Sequence, residues 1–376
     1  MSQKAYLTLE DKTTLEGYSF GFESSTAGEV VFNTGMVGYH ETLTDPSYKG
    51  QILVLTYPLI GNYGVPDYKE DSFGLPIGFE SSKIQIQGLI VSEHSVKYSH
   101  YSAVKSLSDW LKSEKIPALY NIDTRLLTKK LRSKGSMLGK IEINNKSVNF
   151  YDPNSTDLAS QVSTKEIVNI DCSQSNSPTI AVIDCGCKAN IIRSILNRGM
   201  NVIQVPYDYY FLNLNFDGLV ISNGPGDPKM YEVTIRNVER ALAMGKPIFG
   251  ICLGHQILAR AVGADTYKLK FGHRSHNQPC LNLFDNSDKN KVIENRCYIT
   301  SQNHGYAVQE EGLPSDWKVS FKNANDQTVE GICHRSKPFS SVQFHPEATP
   351  GPVDTAYLFD NFAKQVKKIE SKLLKF

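Results

Sequence analysis

Cys252 stands in a Gly-x-Cys-x-Gly frame, F-G-I-C-L-G-H-Q over residues 249–256, between an apolar run and an apolar-periodic segment. That spacing is a nucleophile elbow with sulfur in place of oxygen. In so sharp a strand-to-helix turn the nucleophile is held in strained backbone, and glycines at 250 and 254 remove the Cβ atoms that would clash. The turn aims the thiol at the start of the next helix, where unpaired N–H groups and the helix dipole favour a thiolate. A thiol nucleophile also needs a base, and the base needs a group that fixes its tautomer. His345-Pro346-Glu347 supplies such a pair, because residues two apart on a strand end point to one side and the intervening proline stiffens the turn. Acyl transfer further requires donors for the developing oxyanion. The N–H of Leu253, the residue after the nucleophile, is the first, and Gly226 in S-N-G-P-G-D-P (222–228) is the second. Taken singly, each motif has a plain structural alternative: a buried core cysteine, a solvated loop histidine, an ordinary turn. Their presence in one chain points to thiol-based acyl transfer.

The elements that must hold these groups fall into two halves. From Tyr6 to about Gly50, period-two alternation broken by Gly and Asp-Lys turns predicts an antiparallel meander or small barrel. The apolar run in G-Q-I-L-V-L-T-Y-P is a strand between structured loops, and residues 84–92 are another. Helices are expected over 101–115, around Leu107, Trp110 and Leu111, and over 123–134, capped by Asp123 or Thr124. This α+β domain is expected to occupy 1–150. Residues 151–178 are rich in Ser, Thr, Asn and Pro and read as a linker. From 179 to about 370 the rhythm becomes βαβα, and continuous β-branched runs alternating with helical patterns indicate an α/β domain on a mostly parallel sheet. That half turns β-rich after Gly263 and closes with a helix from about Thr355 to Lys368.

Composition narrows the function classes. With 376 residues, 40% hydrophobic and 21% charged, the chain is long enough for two or three ordinary domains. A formal charge of +1, from 40 basic and 39 acidic residues, supplies no field for nucleic acid or an anionic membrane. The N-terminus has neither a signal-peptide core nor transit-peptide character, no stretch of apolar residues is long enough to span a bilayer, and the 7 cysteines lack framework spacing. A cytoplasmic location is expected. Cys185-x-Cys187 has the wrong spacing for a metal pair, and no metal is expected on the chain.

G-I-C-L-G-H-Q, S-N-G-P-G-D-P and F-H-P-E, in that order, resemble the class I, or triad, glutamine amidotransferases. L-T-D-P-S-Y-K-G-Q-I-L-V-L-T-Y-P-L-I-G-N-Y-G, D-T-R-L-L-T-K-K-L-R, D-C-G-C-K-A-N-I and T-S-Q-N-H-G-Y-A-V extend the likeness, from about Tyr6 to Lys364, to the small subunit of glutamine-dependent carbamoyl phosphate synthetase. F-G-H-R-S-H-N-Q-P-C is most similar to the fused eukaryotic pyrimidine-pathway type. The resemblance implies an N-terminal α+β domain followed by a flavodoxin-like amidotransferase domain with a Cys252, His345, Glu347 triad. It implies L-glutamine as substrate, held by Ser47, Gly224, Gly226, Leu253, Gln256, Asn303, Gly305 and Tyr306, where Tyr306 replaces the family's usual phenylalanine. It implies a partner, a separate large subunit or a fused synthetase domain, that accepts the ammonia for pyrimidine or arginine biosynthesis. The chain lacks a P-loop and a Mg²⁺ cluster in its sequence, so ATP and Mg²⁺ are expected on that partner and no cofactor on this chain.

His255 and His304 read as structural, and His273 and His276 lack acidic neighbours at metal spacing. Three rivals remain: the glutaminase of another ammonia-using synthetase, a γ-glutamyl hydrolase or thiol peptidase on the same elbow, and a non-catalytic subunit that keeps the pocket.

Overall fold

The structure, a computed structural model, describes residues 3–144, 146–283 and 296–373. The chain divides into two compact units, Met1–Leu158 with Lys270–Ser275, and Ala159–Leu269 with His276–Phe376.

The first unit is built on a closed barrel with strand order Lys4–Leu9, Thr14–Ser19, Ala118–Tyr120, Gly88–Val91, Gln51–Leu55, Thr26–Asn33 and Met137–Ile143. Its ends follow the expected antiparallel hairpin logic, Lys4–Leu9 pairing with Thr14–Ser19. The middle does not: Thr26–Asn33, Gln51–Leu55, Gly88–Val91 and Ala118–Tyr120 pair in parallel, neighbour by neighbour. Parallel neighbours need crossovers, and the long intervening segments supply them. The inward residues Leu7, Val30, Ile52, Ile90, Leu119 and Ile141 form one apolar core.

The expected 101–115 helix is shorter. Ala103–Lys105 is a strand, and Ser106 then accepts from the Asp109 N–H at 3.1 Å, a cap that starts the helix at Leu107–Ser113. Asp123, accepting from the Leu126 N–H at 2.8 Å, is the cap of Thr124–Lys134.

The polar stretch 151–178 is not a plain tether. Pro153–Ser155 forms a 3₁₀ turn in the first unit, Ala159–Val162 is helical, and Val168–Ile170 adds an antiparallel edge strand to the sheet of the second unit. The division falls after Leu158 because the buried Leu158 belongs with the first unit and the buried Ala159 with the second core.

That second sheet runs Val168–Ile170, Asn201–Pro206, Thr179–Asp184, Gly218–Ile221, Ile248–Ile251, Phe339–Val342, Val329–His334, Arg296–Val308, Thr266–Asn282, Trp317–Asn323. Asn201–Pro206 through Phe339–Val342 are consecutive parallel neighbours, and the remaining strands extend the sheet largely in antiparallel fashion. The central strands Gly218–Ile221 and Ile248–Ile251 are buried throughout, as expected for a parallel sheet covered on both faces. In such sheets the loops beyond the carboxyl ends of the strands converge to form sites. Four of those ends lead to Lys188, Ser222, Cys252 and His345.

Candidate active site

Cys252 follows the Ile248–Ile251 strand and precedes the Leu253–Ala261 helix, with φ 55 and ψ −105. A residue with a side chain is forced into this sparsely populated backbone only where its surroundings over-determine it. Here they do. Its N–H donates to Val342 O at 2.9 Å, and its own carbonyl accepts from the N–H groups of His255 and Gln256 at 3.1 and 3.3 Å. A Cβ on Gly250 would lie 2.5 Å from Gly254 O, and one on Gly254 would lie 2.1 Å from Ile221 O. Both glycines are therefore fixed by backbone packed against backbone. Cys252 is 2% exposed, and its Sγ lies 3.6 Å from Asn303 O.

His345 and Glu347 lie in the turn after Phe339–Val342 rather than on the strand itself. The His345 N–H donates to Ser301 O at 2.9 Å, and the Ala348 N–H returns to His345 O at 3.1 Å, closing the turn. The turn, not strand alternation, brings the two side chains together: His345 Nδ1 is 2.6 Å from Glu347 Oε1. Because a carboxylate only accepts, Nδ1 carries the hydrogen, which leaves Nε2 open to a second partner. Nε2 is buried without a hydrogen-bond partner.

Behind the pair stands Lys188, whose Nζ donates to Glu347 Oε1 at 3.0 Å and to Ala348 O at 2.6 Å. Asn190 Nδ2 donates to Glu347 O and, at 2.7 Å, to Thr349 Oγ1. Burial pushes the Glu347 carboxyl up, but Lys188 and then His345 outweigh it and hold it at about 2. Burial likewise pushes His345 down, and the charges of Glu347 and Cys252 override it, raising the imidazole to about 10. The three groups are thus an ordered cation, carboxylate, imidazolium series. Lys188 has no signal of its own in the sequence beyond its place in D-C-G-C-K-A-N at the end of the Thr179–Asp184 strand. Asp184 organises that loop: its Oδ1 accepts from the N–H groups of Gly186 and Cys187 at 2.9 and 2.7 Å.

The Ser222–Pro228 loop is bound to the same segment. Ser222 Oγ accepts from the Cys185 N–H, and Asn223 Oδ1 from the Lys188 N–H, both at 3.0 Å. A Cβ on Gly224 would lie 2.2 Å from Cys185 O, so this glycine makes room for the neighbouring loop rather than for a substrate. Gly226, at φ 82, occupies left-handed backbone. Leu253, first in its helix, presents an N–H that has no intrahelical acceptor.

The remaining residues expected around glutamine are distributed as follows. Gln256 is buried, and its Nε2 donates to Tyr306 O and Gln343 Oε1, each at 3.0 Å. Its amide nitrogen is therefore committed to bracing the Arg296–Val308 strand. Asn303, Gly305 and Tyr306 lie on that strand. Ser47 lies in the first unit, in the 3₁₀ turn Pro46–Tyr48, where its N–H donates to Asp45 Oδ1 at 3.0 Å. His255 is fully buried, bonds Ser341 Oγ through Nδ1 at 2.8 Å, and is pushed down to about 3 by burial, as a structural histidine should be.

Comparison with known proteins places both units. Residues 7–141 match the family model "Carbamoyl-phosphate synthase small chain, CPSase domain", and residues 181–365 match "Glutamine amidotransferase class-I". The multifunctional protein pyr1-3 of Dictyostelium discoideum is 49% identical over 97% of this chain and 17% of its own length. The multifunctional protein CAD of Squalus acanthias is 52% identical over 97% of this chain and 16% of its own. The mitochondrial carbamoyl-phosphate synthase [ammonia] of Homo sapiens is 48% identical over 98% of this chain and 24% of its own. The chain spans a quarter or less of these relatives. Two consecutive family matches and near-complete coverage at about half identity carry one conclusion: the chain belongs to the carbamoyl-phosphate synthase small-chain family, with a class I glutamine amidotransferase domain as its second half.

Proposed function

We propose that this chain is the glutaminase component of a carbamoyl-phosphate synthase, hydrolysing L-glutamine to glutamate and ammonia. One relative has ammonia in its name, so the nitrogen donor is argued from this chain's own residues. The observation that supports thiol-based hydrolysis most directly is the 2.6 Å contact of His345 Nδ1 with Glu347 Oε1, beside the cysteine elbow, and the class I glutamine amidotransferase match over residues 181–365 supports glutamine as its substrate.

In this reading the Cys252 proton is held on His345 Nε2 as Sγ attacks the side-chain amide carbon, and the carbonyl π electrons move to oxygen, to which the N–H groups of Leu253 and Gly226 donate. The C–N bond breaks as His345 delivers its Nε2 proton to the departing ammonia, leaving a γ-glutamyl thioester. Water then gives its proton to His345 and adds to the thioester. Collapse of the second oxyanion expels the sulfur and frees glutamate. Glu347, kept ionised by Lys188, balances the imidazolium through both halves.

Gln256, Asn303, Gly305, Tyr306 and the main chain of Gly224 would bind the amino acid. Ammonia would pass to a synthetase region, fused to the chain as the multifunctional relatives suggest, and the ATP and Mg²⁺ chemistry would reside there. Pyrimidine synthesis in the cytoplasm is the proposed context; the Homo sapiens relative carries the word mitochondrial in its name. Among the described residues no helix is long and apolar enough to cross a membrane.

The test is the release of glutamate and ammonia from L-glutamine by the chain alone and with a carbamoyl-phosphate synthetase partner. Weak turnover that rises with the partner is expected. Preference for a γ-glutamyl peptide over free glutamine would favour the γ-glutamyl hydrolase instead.

A further inference from the structure

Gln302, His304 and Tyr306 lie two apart on the Arg296–Val308 strand and so share one face. His304 is buried there with a hydrogen-bond acceptor at each ring nitrogen. Nδ1 is 2.8 Å from Tyr306 O, a backbone carbonyl that can only accept. Nε2 is 3.0 Å from Gln302 Oε1.

The orientation of the Gln302 amide decides the proton count. Its Nε2 donates to Glu330 Oε2 at 3.0 Å and to Thr300 Oγ1 at 3.2 Å, with Cys280 Sγ also 3.2 Å away. The Thr300 hydroxyl gives its own hydrogen to Gln278 O at 2.9 Å, so toward Gln302 it can only accept. Reversing the amide would set its oxygen against this acceptor and against the Glu330 carboxylate. With the amide as placed, Gln302 Oε1 is an acceptor and His304 Nε2 must also carry hydrogen. Both ring nitrogens are therefore protonated.

We infer that His304 is a buried imidazolium whose counter-charge is Glu330, and that this ion pair is the positioning device of the strand segment facing the nucleophile. The side chains are 1% and 0% exposed, with Nε2 4.0 Å from Glu330 Oε1. The carboxylate is satisfied as a buried charge must be: Oε2 accepts from Gln302, and Oε1 from Asn323 Nδ2 at 3.2 Å. Through Nδ1 the imidazolium grips Tyr306 O, the same carbonyl that takes the Gln256 amide. One residue before His304, Asn303 O lies 3.6 Å from Cys252 Sγ. The charge thus fixes a segment tied at one end to the nucleophile and at the other to the helix that carries it.

The part of this inference that concerns glutamine rests on the glutaminase reading; the charge state does not. The chain has 9 histidines. With ¹⁵N-labelled histidine near pH ~8.5, where unperturbed imidazoles are neutral, two imidazolium signals are expected, from His345 and His304. His345→Gln should remove one and Glu330→Gln the other. Only one such signal in the wild-type chain, lost in His345→Gln, would overturn the assignment whatever the chain's activity. For the positioning role, Glu330→Gln should raise the glutamine KM at least about tenfold with kcat changed less, and Glu330→Asp should restore part of it. A fall in kcat at unchanged KM would contradict it.

Discussion

Lys188 Nζ lies 3.0 Å from Glu347 Oε1, and that same oxygen accepts from His345 Nδ1 at 2.6 Å. One carboxylate oxygen is therefore shared between a buried lysine and the candidate base. Three buried ionisable side chains in line are costly to place, and removing one partner leaves its neighbour uncompensated. Lys188→Met should cost about 3–5 kcal/mol in urea unfolding and lower kcat for glutamine. A variant as stable and as active as the parent would show that Glu347 does not depend on the lysine.

The pH dependence of stability follows from the same groups. His345, raised from 6.5 to about 10, contributes stability that is fully present below pH 6.5 and is lost as pH rises through about 10. Glu347, lowered from 4.5 to about 2, contributes stability that is present above pH 4.5 and lost as pH falls through about 2. Urea midpoints from pH 6.5 to 10 should decline more steeply in the wild type than in His345→Gln. Parallel curves would contradict a raised His345.

Gly254→Ala places a methyl 2.1 Å from the Ile221 carbonyl oxygen, which is backbone and cannot swing aside as a side-chain end would. The expected loss is about 1–3 kcal/mol, with glutaminase activity falling with it as the elbow is displaced. Gly224→Ala meets Cys185 O at 2.2 Å and should act instead through the loop that carries Gly226. Thermal unfolding and kcat measured on both variants check this; wild-type values for either would show that the loops can part without consequence.

Gln256→Leu removes the amide that Tyr306 O and Gln343 Oε1 accept from. Taking this donor from two buried acceptors, of which Tyr306 O keeps His304, should cost about 1–3 kcal/mol and raise the glutamine KM as the strand loosens. Unchanged KM and stability would mean that the bracing is redundant.

What the sequence revealed tracks how local each signal is. The elbow at Cys252 is written in contiguous residues, because a positive-φ nucleophile requires its own neighbours to be small. His345 and Glu347 are legible by spacing, although the contact arises in a turn and not on a strand. The βαβα rhythm gave away the parallel sheet, since its buried strands must be continuously apolar. Lys188 was hidden because its meaning depends on a carboxylate 159 residues away. The parallel pairings inside the barrel were hidden too, because alternation specifies faces and not partners. Gly224 shows the third kind of opacity: the glycine is visible, but whether it clears space for substrate or for Cys185 is a tertiary fact.

The central claim is that Cys252 forms a covalent bond with the substrate. Acid quench of the chain during turnover of L-glutamine, followed by intact mass and peptide mapping, measures it directly. A γ-glutamyl adduct on the peptide containing Cys252 is predicted, with neither adduct nor glutamate release in Cys252→Ala. Full glutamate release by Cys252→Ala would contradict the account.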